Sequence, residues 1–270
     1  MSQSGTRLRS KPRLRSAPKR STSRTYTGWA KRSSSQHRCY VRAGVQLCLK
    51  RKCLSNVILG KLIGSGSSGS VFEAHIPGDP VVYALKIVPL NTPIPWDREP
   101  SCRAGTDPSR WDLDCMKVTT EDFYREIERS RIAAAHNLGP QVQGWWFCKG
   151  SSGFDRKPVR YGILMSTLVP GITATQYYKQ YGLTRSFVRA MIDILRRTGN
   201  LGFQYRDLHG DNVLVAPVTG ATKASSNGWR KSPLNAQFVD LADFVPDPRY
   251  EPGDESHWMQ SFVYDLQTSR

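Results

Sequence analysis

The reading of this chain turns on one stretch, Tyr205-Arg206-Asp207-Leu208-His209-Gly210-Asp211-Asn212-Val213-Leu214-Val215. Two acids, a histidine and an asparagine crowd residues 207–212, and an aliphatic run follows at once. Upstream, Thr184 is placed to cap a helix that carries Phe187, Met191, Ile194 and Leu195 on one face and ends near Gly199. Downstream, residues 213–215 and 237–241 read as short strands, separated by a Gly-, Ser- and Asn-rich insertion over 217–235. The second strand carries Phe238-Val239-Asp240-Leu241-Ala242, with one more acid at its end.

Nearer the N-terminus, Gly64-Ser65-Gly66-Ser67-Ser68-Gly69-Ser70-Val71 lies between two aliphatic, β-branched runs, 57–63 and 81–88, that read as strands of one antiparallel sheet. A glycine-rich turn of this kind can lay backbone amides over phosphates, and by itself it reads equally as a flexible hairpin. It is not a Walker loop, because no Gly-Lys-Ser/Thr follows, nor a dinucleotide fingerprint, because a strand and not a helix continues it. Lys86 stands alone in the apolar Val82-Tyr83-Ala84-Leu85-Lys86-Ile87-Val88. A buried ammonium without a partner is costly, so Lys86 meets an anion or a carboxylate, unless it is an edge lysine reaching water. The helix expected over 121–136 puts Phe123, Ile127, Ser130 and Ala134 on one stripe and stops at Gly139-Pro140. On it Glu126 is the carboxylate to pair with Lys86; Glu128 competes, and helical spacing does not decide between them. Residues 91–120 hold five prolines or glycines and no sustained period, as a long surface insertion would.

Taken in order, the glycine-rich turn, the strand lysine, the 205–215 loop and the Asp240 segment resemble four motifs of the protein-kinase-like superfamily, and among its members the small atypical or viral protein kinases. The resemblance runs from about Val57 to Leu266. It implies an α+β, two-lobed fold with an antiparallel-sheet N-lobe over about 53–168 and an abbreviated helical C-lobe over about 169–270. It further implies an ATP-dependent kinase that phosphorylates Ser/Thr hydroxyls of protein substrates with Mg²⁺ or Mn²⁺. In that scheme Gly64, Ser65, Gly66, Ser67, Ser68 and Gly69 cover the phosphates, and Val71 and Ala84 border the nucleotide. Lys86 touches the α and β phosphates and is oriented by Glu126. Asp207 is the base or orienter for the acceptor hydroxyl, with His209 donating to the γ-phosphate or holding Asp207, while Asn212 and Asp240 hold the metal ions. Met165 would guard the back of the adenine pocket, with Ser166 to Leu168 as the hinge. Asp265 resembles the acid that braces the catalytic loop. Tyr205 stands where the family usually has His, His209 where its Ser/Thr kinases have Lys, and Leu241-Ala242 where Phe-Gly is usual. The Asp-Leu-His version is also found in aminoglycoside and choline kinase relatives. The alternatives are therefore a small-molecule phosphotransferase, or a catalytically weak kinase-like module.

Composition separates the chain into two parts. Among 270 residues with a net charge of +17, residues 1–52 hold 15 Lys or Arg and no acid, leaving 24 basic and 22 acidic residues for the remainder. A nearly neutral body does not suit a fold that coats nucleic acid. Residues 1–52 read as a disordered basic arm, which serves as a nuclear localisation signal, contacts nucleic acid or an acidic partner, or acts as a solubilising tail. No apolar leader follows Met1, and the uncharged run at 161–178 is too polar to span a bilayer, so no membrane partner is expected. Cys39, Cys48, Cys53, Cys102, Cys115 and Cys148 show no metal-binding spacing and read as mostly free thiols of an intracellular protein, nuclear or cytoplasmic.

Overall fold

A computed structural model describes residues 37–42, 45–66, 68–91, 118–152, 157–218, 229–230 and 232–268. The fold is mixed α+β. Its first half is a curled, seven-stranded antiparallel sheet in the order β1-β2-β6-β7-β5-β4-β3. The strands are β1 (His37–Arg42), β2 (Val45–Lys50), β3 (Ile58–Ser65), β4 (Ser70–His75), β5 (Val82–Leu90), β6 (Val142–Ser152) and β7 (Lys157–Thr167). The expected strands at 57–63 and 81–88 are present, but β4 lies between them, and the glycine-rich turn joins β3 to β4.

Helix α1 (Thr120–Ala135) crosses one face of this sheet. It starts in a capping box, in which Thr119 Oγ1 accepts from Asp122 N–H while the Asp122 carboxylate accepts from Thr119 N–H. It buries the expected stripe of Phe123, Ile127, Ser130 and Ala134, and Phe123 and Ile127 pack with Val88, Leu90 and Leu164 of the sheet. The other face of the sheet holds a separate core built on Tyr40, Leu47, Leu49, Phe72, Tyr83, Leu85, Ile87 and Tyr161.

The second half supplies α2 (Ala174–Tyr181), α3 (Arg185–Asn200) and α4 (Asp254–Thr268), with short strands β8 (Ile172–Thr173), β9 (Phe203–Tyr205), β10 (Val213–Pro217), β11 (Leu234–Phe238) and β12 (Phe244–Pro246). Thr184 caps α3 as expected, accepting from Phe187 N–H at 3.2 Å. Phe187, Met191, Ile194 and Leu195 of α3 share a third core with Tyr177, Phe238, Phe244 and Phe262. Among the described residues, no helix is long and apolar enough to cross a membrane.

Two expectations fail in the N-terminal region. The disordered arm does not reach residue 52, because β1 and β2 pair as a hairpin and bury Tyr40, Leu47 and Leu49. The basic composition of the whole segment hides the alternation Gln46-Leu47-Cys48-Leu49-Lys50, whose period of two puts Leu47 and Leu49 on the buried face. The rest of the arm, residues 1–36, lies outside the described residues, as does 92–117 of the expected insertion. The free-thiol expectation also fails for four cysteines. Cys39 and Cys48 stand opposite each other in the hairpin and are joined, and Cys53, in the single turn after β2, is joined to Cys148 on β6. Cys102 and Cys115 lie outside the described residues.

Candidate active site

The site forms where the sheet and α1 meet the loops after β9 and β11. Lys86 sits on the face of β5 that looks at α1, and strand pairing puts Val71 and Leu164 beside it on the neighbouring strands. Its ammonium donates to Glu126 Oε1 at 2.6 Å and to Asp240 Oδ1 at 2.6 Å. The sequence left Glu126 and Glu128 open; the structure selects Glu126, which is buried, while Glu128 is exposed. Burial alone would lower the Lys86 ammonium, but the charges of Asp240 and Glu126 outweigh it and raise its pKa, so it stays protonated.

Asp240 is a non-glycine residue in the left-handed region, with φ +56° and ψ +70°, a conformation that L-residues resist. The buried Tyr205 hydroxyl braces it, lying 2.7 Å from the carbonyl oxygen of Val239 and 2.9 Å from that of Asp240. The sequence reading noted Tyr205 only as a departure from a family pattern; its position directly before Arg206-Asp207 was the available signal. Arg129 of α1 also donates to the Ala242 carbonyl, tying α1 to the same segment.

The glycine-rich turn folds over this group. Ser68 Oγ donates to Asp240 Oδ2 at 3.4 Å, and a Cβ on Gly66 would lie 3.9 Å from the same oxygen. A Cβ on Gly69 would sit 2.8 Å from the Ile87 carbonyl oxygen, so only glycine lets the turn come this close to β5. Gly64 has room for a side chain, Ser65 Oγ lies 3.5 Å from Ser70 Oγ, and Ser67 is outside the described residues.

On the opposite wall, Asn212 Nδ2 donates to Asp207 Oδ2 at 2.7 Å and to the Asp207 carbonyl at 3.2 Å. His209 Nε2 lies 3.6 Å from Asp207 Oδ2, and its Nδ1 accepts from Asp211 N–H at 3.3 Å. His209 holds the Asp207 carboxyl below the usual carboxylate range, helped by Asn212 and Lys86, and Asp207 in turn raises His209. Asp265 of α4 accepts from Gly210 N–H at 3.4 Å and steadies the turn that carries these groups.

The expected adenine wall needs a correction at Met165. Across β5 and β7, Lys86 stands opposite Leu164 and Ala84 opposite Ser166, whereas Met165 stands opposite Leu85. Side chains alternate along a strand, so Met165 packs into the far core with Leu85, while Leu164 packs towards α1. Ser166, and not Met165, borders the site beside Ala84. In the expected hinge, Leu168 N–H donates to the Val82 carbonyl at 3.3 Å.

One ammonium faces three carboxylates here, those of Glu126, Asp240 and Asp207, so the site has an excess of negative charge. Asn212 turns its amide nitrogen towards Asp207, and its oxygen has no hydrogen-bond partner among the described residues. That oxygen and the Asp240 carboxylate form the hard donor set that Mg²⁺ takes when phosphate oxygens and water complete the shell. Among the described residues no group of three or more His, Cys, Asp or Glu could hold a metal unaided.

The segment after Asp240 is fastened by contacts that the sequence did not reveal. Glu255 of α4 accepts from Arg196 at 3.2 Å, from the Tyr250 hydroxyl at 3.0 Å and from Gly253 N–H at 2.9 Å. The Tyr250 ring lies directly over Gly199 of α3.

No family model matches the chain. A serine/threonine-protein kinase of Arabidopsis thaliana, UCNL, is 22% identical to it over 196 residues, which cover 70% of this chain and 41% of the relative. The chain thus spans about two fifths of the length of the curated relative it matches. This match supports a distant, kinase-like relationship to a serine/threonine protein kinase.

Proposed function

We propose that the chain is a protein-kinase-like phosphotransferase that moves the γ-phosphate of ATP to Ser/Thr hydroxyls of protein substrates, using Mg²⁺ or Mn²⁺. In this reading the sheet half, from residue 37 to about 168, and the helical half after it are the two lobes of such an enzyme. The observation that carries it is Lys86 held at 2.6 Å from both Glu126 and Asp240, facing the Asp207–Asn212 pair across the cleft.

Each group has a task that its geometry suits. Glu126 keeps Lys86 charged and aimed out of β5, so the ammonium can meet phosphate oxygens. Asp240 and Asn212 present the oxygens that would hold the metal; ATP and its metal supply the transferable phosphoryl group and neutralise its charge. Asp207, kept ionised by His209, Asn212 and Lys86, orients the acceptor hydroxyl and receives its proton as that oxygen bonds to phosphorus and the bond to the β-phosphate oxygen breaks. The glycine-rich turn excludes water, and Ala84, Val71 and Ser166 border the base. To hold a cation, Asp240 would give up its contact with Ser68.

The test is transfer of labelled γ-phosphate from ATP by wild type and Asp207→Asn, offered a basic protein mixture and small-molecule alcohols. Label on protein Ser/Thr with wild type only, with nucleotide binding intact in Asp207→Asn, is expected. Full activity in Asp207→Asn would refute the assigned base, and label on small alcohols alone would refute the protein substrate.

A further inference from the structure

Away from this site, the bond between Cys53 and Cys148 plays no part in the proposed reaction, and its surroundings set it apart from the other cysteine pair. Cys39–Cys48 lies within the sheet: Cys39 is buried, and Cys48 is paired with Cys39 on one side and with Ser151 on the other. Cys53 sits outside the sheet, in the single turn Arg51–Leu54 that follows β2, and is half-buried. Its partner Cys148, on β6, is only 4% exposed. A thiol arriving from solvent therefore meets this bond at the sulfur of Cys53.

The turn does not depend on the bond to stay in place. Leu54 is buried in the far core, the Cys53 carbonyl oxygen accepts from Trp146 Nε1 at 3.0 Å, and Val57 N–H donates to the Leu54 carbonyl at 3.2 Å. With the bond open, a Cys53 thiol has an acceptor at hand, since its Sγ lies 3.8 Å from the Lys149 carbonyl oxygen. The two sulfurs thus stay close in either state, and the pair can open and re-form without refolding. Lys50, Arg51 and Lys52 lead into Cys53 and Lys149 follows Cys148, all four exposed. Cations beside a cysteine favour its thiolate, the form that exchanges.

We propose that Cys53 is a thiol-exchange site, at which a small thiol from solvent is carried as a mixed disulfide. The small thiolate attacks Cys53 Sγ; its sulfur bonds to Cys53 as the bond to Cys148 breaks, and Cys148 leaves with the electron pair and takes a proton from water. A second small thiolate attacks the mixed disulfide at the first small molecule's sulfur, which forms the small disulfide and frees Cys53. The two electrons that reduce the protein pair come from those two small thiols. With the small disulfide in excess, the same steps run backwards and close the bond. Opening removes a tie across 95 residues that holds the end of β2 to β6.

The experiment uses the full chain carrying C102S/C115S, which removes the two remaining thiols. It is oxidised with glutathione disulfide, exposed to reduced glutathione for graded times, quenched with acid, alkylated and mapped by mass spectrometry. Glutathione should appear on Cys53 and the alkyl label on Cys148, about tenfold sooner than the Cys39–Cys48 bond opens. C148S, in which Cys53 has no partner, should take up glutathione from its disulfide about tenfold faster than C53S does at the buried Cys148. The dithiol form should melt several degrees below the closed form. The time course keeps both cysteines in place, so it decides the matter even where C53S or C148S fails to fold. Glutathione on Cys148 in place of Cys53, earlier opening of Cys39–Cys48, an exchange that waits for denaturant, or a Cys53–Cys148 bond that never forms would each overturn the proposal.

Discussion

Tyr205→Phe removes a single oxygen from the centre of the candidate site. The ring itself is retained: it is 4% exposed and its centroid lies 4.5 Å from that of Phe238, so packing is nearly unchanged. What is lost is one proton shared between two partly buried carbonyls, at 2.7 Å on Val239 and 2.9 Å on Asp240. A hydrogen bond is worth about 1 kcal/mol net, and leaving an acceptor partly shielded from water without its donor brings the cost to roughly 1–3 kcal/mol. The left-handed conformation of Asp240 costs an L-residue about 1–2 kcal/mol, and relaxation of that strain once the brace is gone offsets part of the loss. A loss near 2 kcal/mol lowers the melting midpoint of a domain this size by about 4–8 °C. In the proposed reaction Asp240 would also hold its carboxylate towards both Lys86 and the cation, so phosphoryl transfer should fall as well, by about tenfold in kcat. Thermal unfolding and single-turnover transfer on the same preparation read both effects. Unchanged melting would show that the hydroxyl does not brace the segment. Lowered melting with unchanged transfer would show that it braces the fold and not Asp240.

Two further perturbations probe the fastening of the segment after Asp240. Gly199→Ala normally favours a helix by up to about 1 kcal/mol, but here the new Cβ would fall inside the Tyr250 ring; a net loss of about 1–3 kcal/mol is expected, with faster amide exchange over 247–254, and a stabilised variant would show that Tyr250 does not pack there. Glu255 is held at about 2, first by its own backbone N–H and that of Gly253, then by Tyr250 and Arg196. A depressed carboxyl stabilises the fold above its unfolded value near 4.5 and loses that contribution as pH falls through about 2. Glu255→Gln should therefore flatten the melting profile between those two values, and an unaltered acid limb would contradict the pairing.

Much of the candidate site was legible because its signals are local. A lone lysine in an apolar strand, an amphipathic helix offering a carboxylate, and a polar loop between a helix end and a strand each announce themselves within a few residues. Thr184 capped α3, and the α1 stripe faced the sheet, because periodicity and capping are properties of neighbouring residues. The strand β6 was not read: Gly144 and Gly150 interrupt Val-Gln-Gly-Trp-Trp-Phe-Cys-Lys-Gly-Ser-Ser, and no clean alternation survives. The β1–β2 hairpin was lost in the surrounding basic composition.

The amino-acid sequence by itself determined the order of the chemical groups, the α+β succession and a lone lysine, Lys86, in an apolar strand. The tertiary structure decided which carboxylates, Glu126 and Asp240, from opposite sides of a cleft. It also decided that Ser166 and not Met165 faces that cleft, because strand register fixes which face of the sheet a residue takes. The Tyr205 brace, the Glu255–Arg196 pair and the cysteine pair bridging 95 residues join positions far apart in the chain. Nothing in local periodicity encodes such partners; only the packing of the finished sheet and helices brings them within bonding distance.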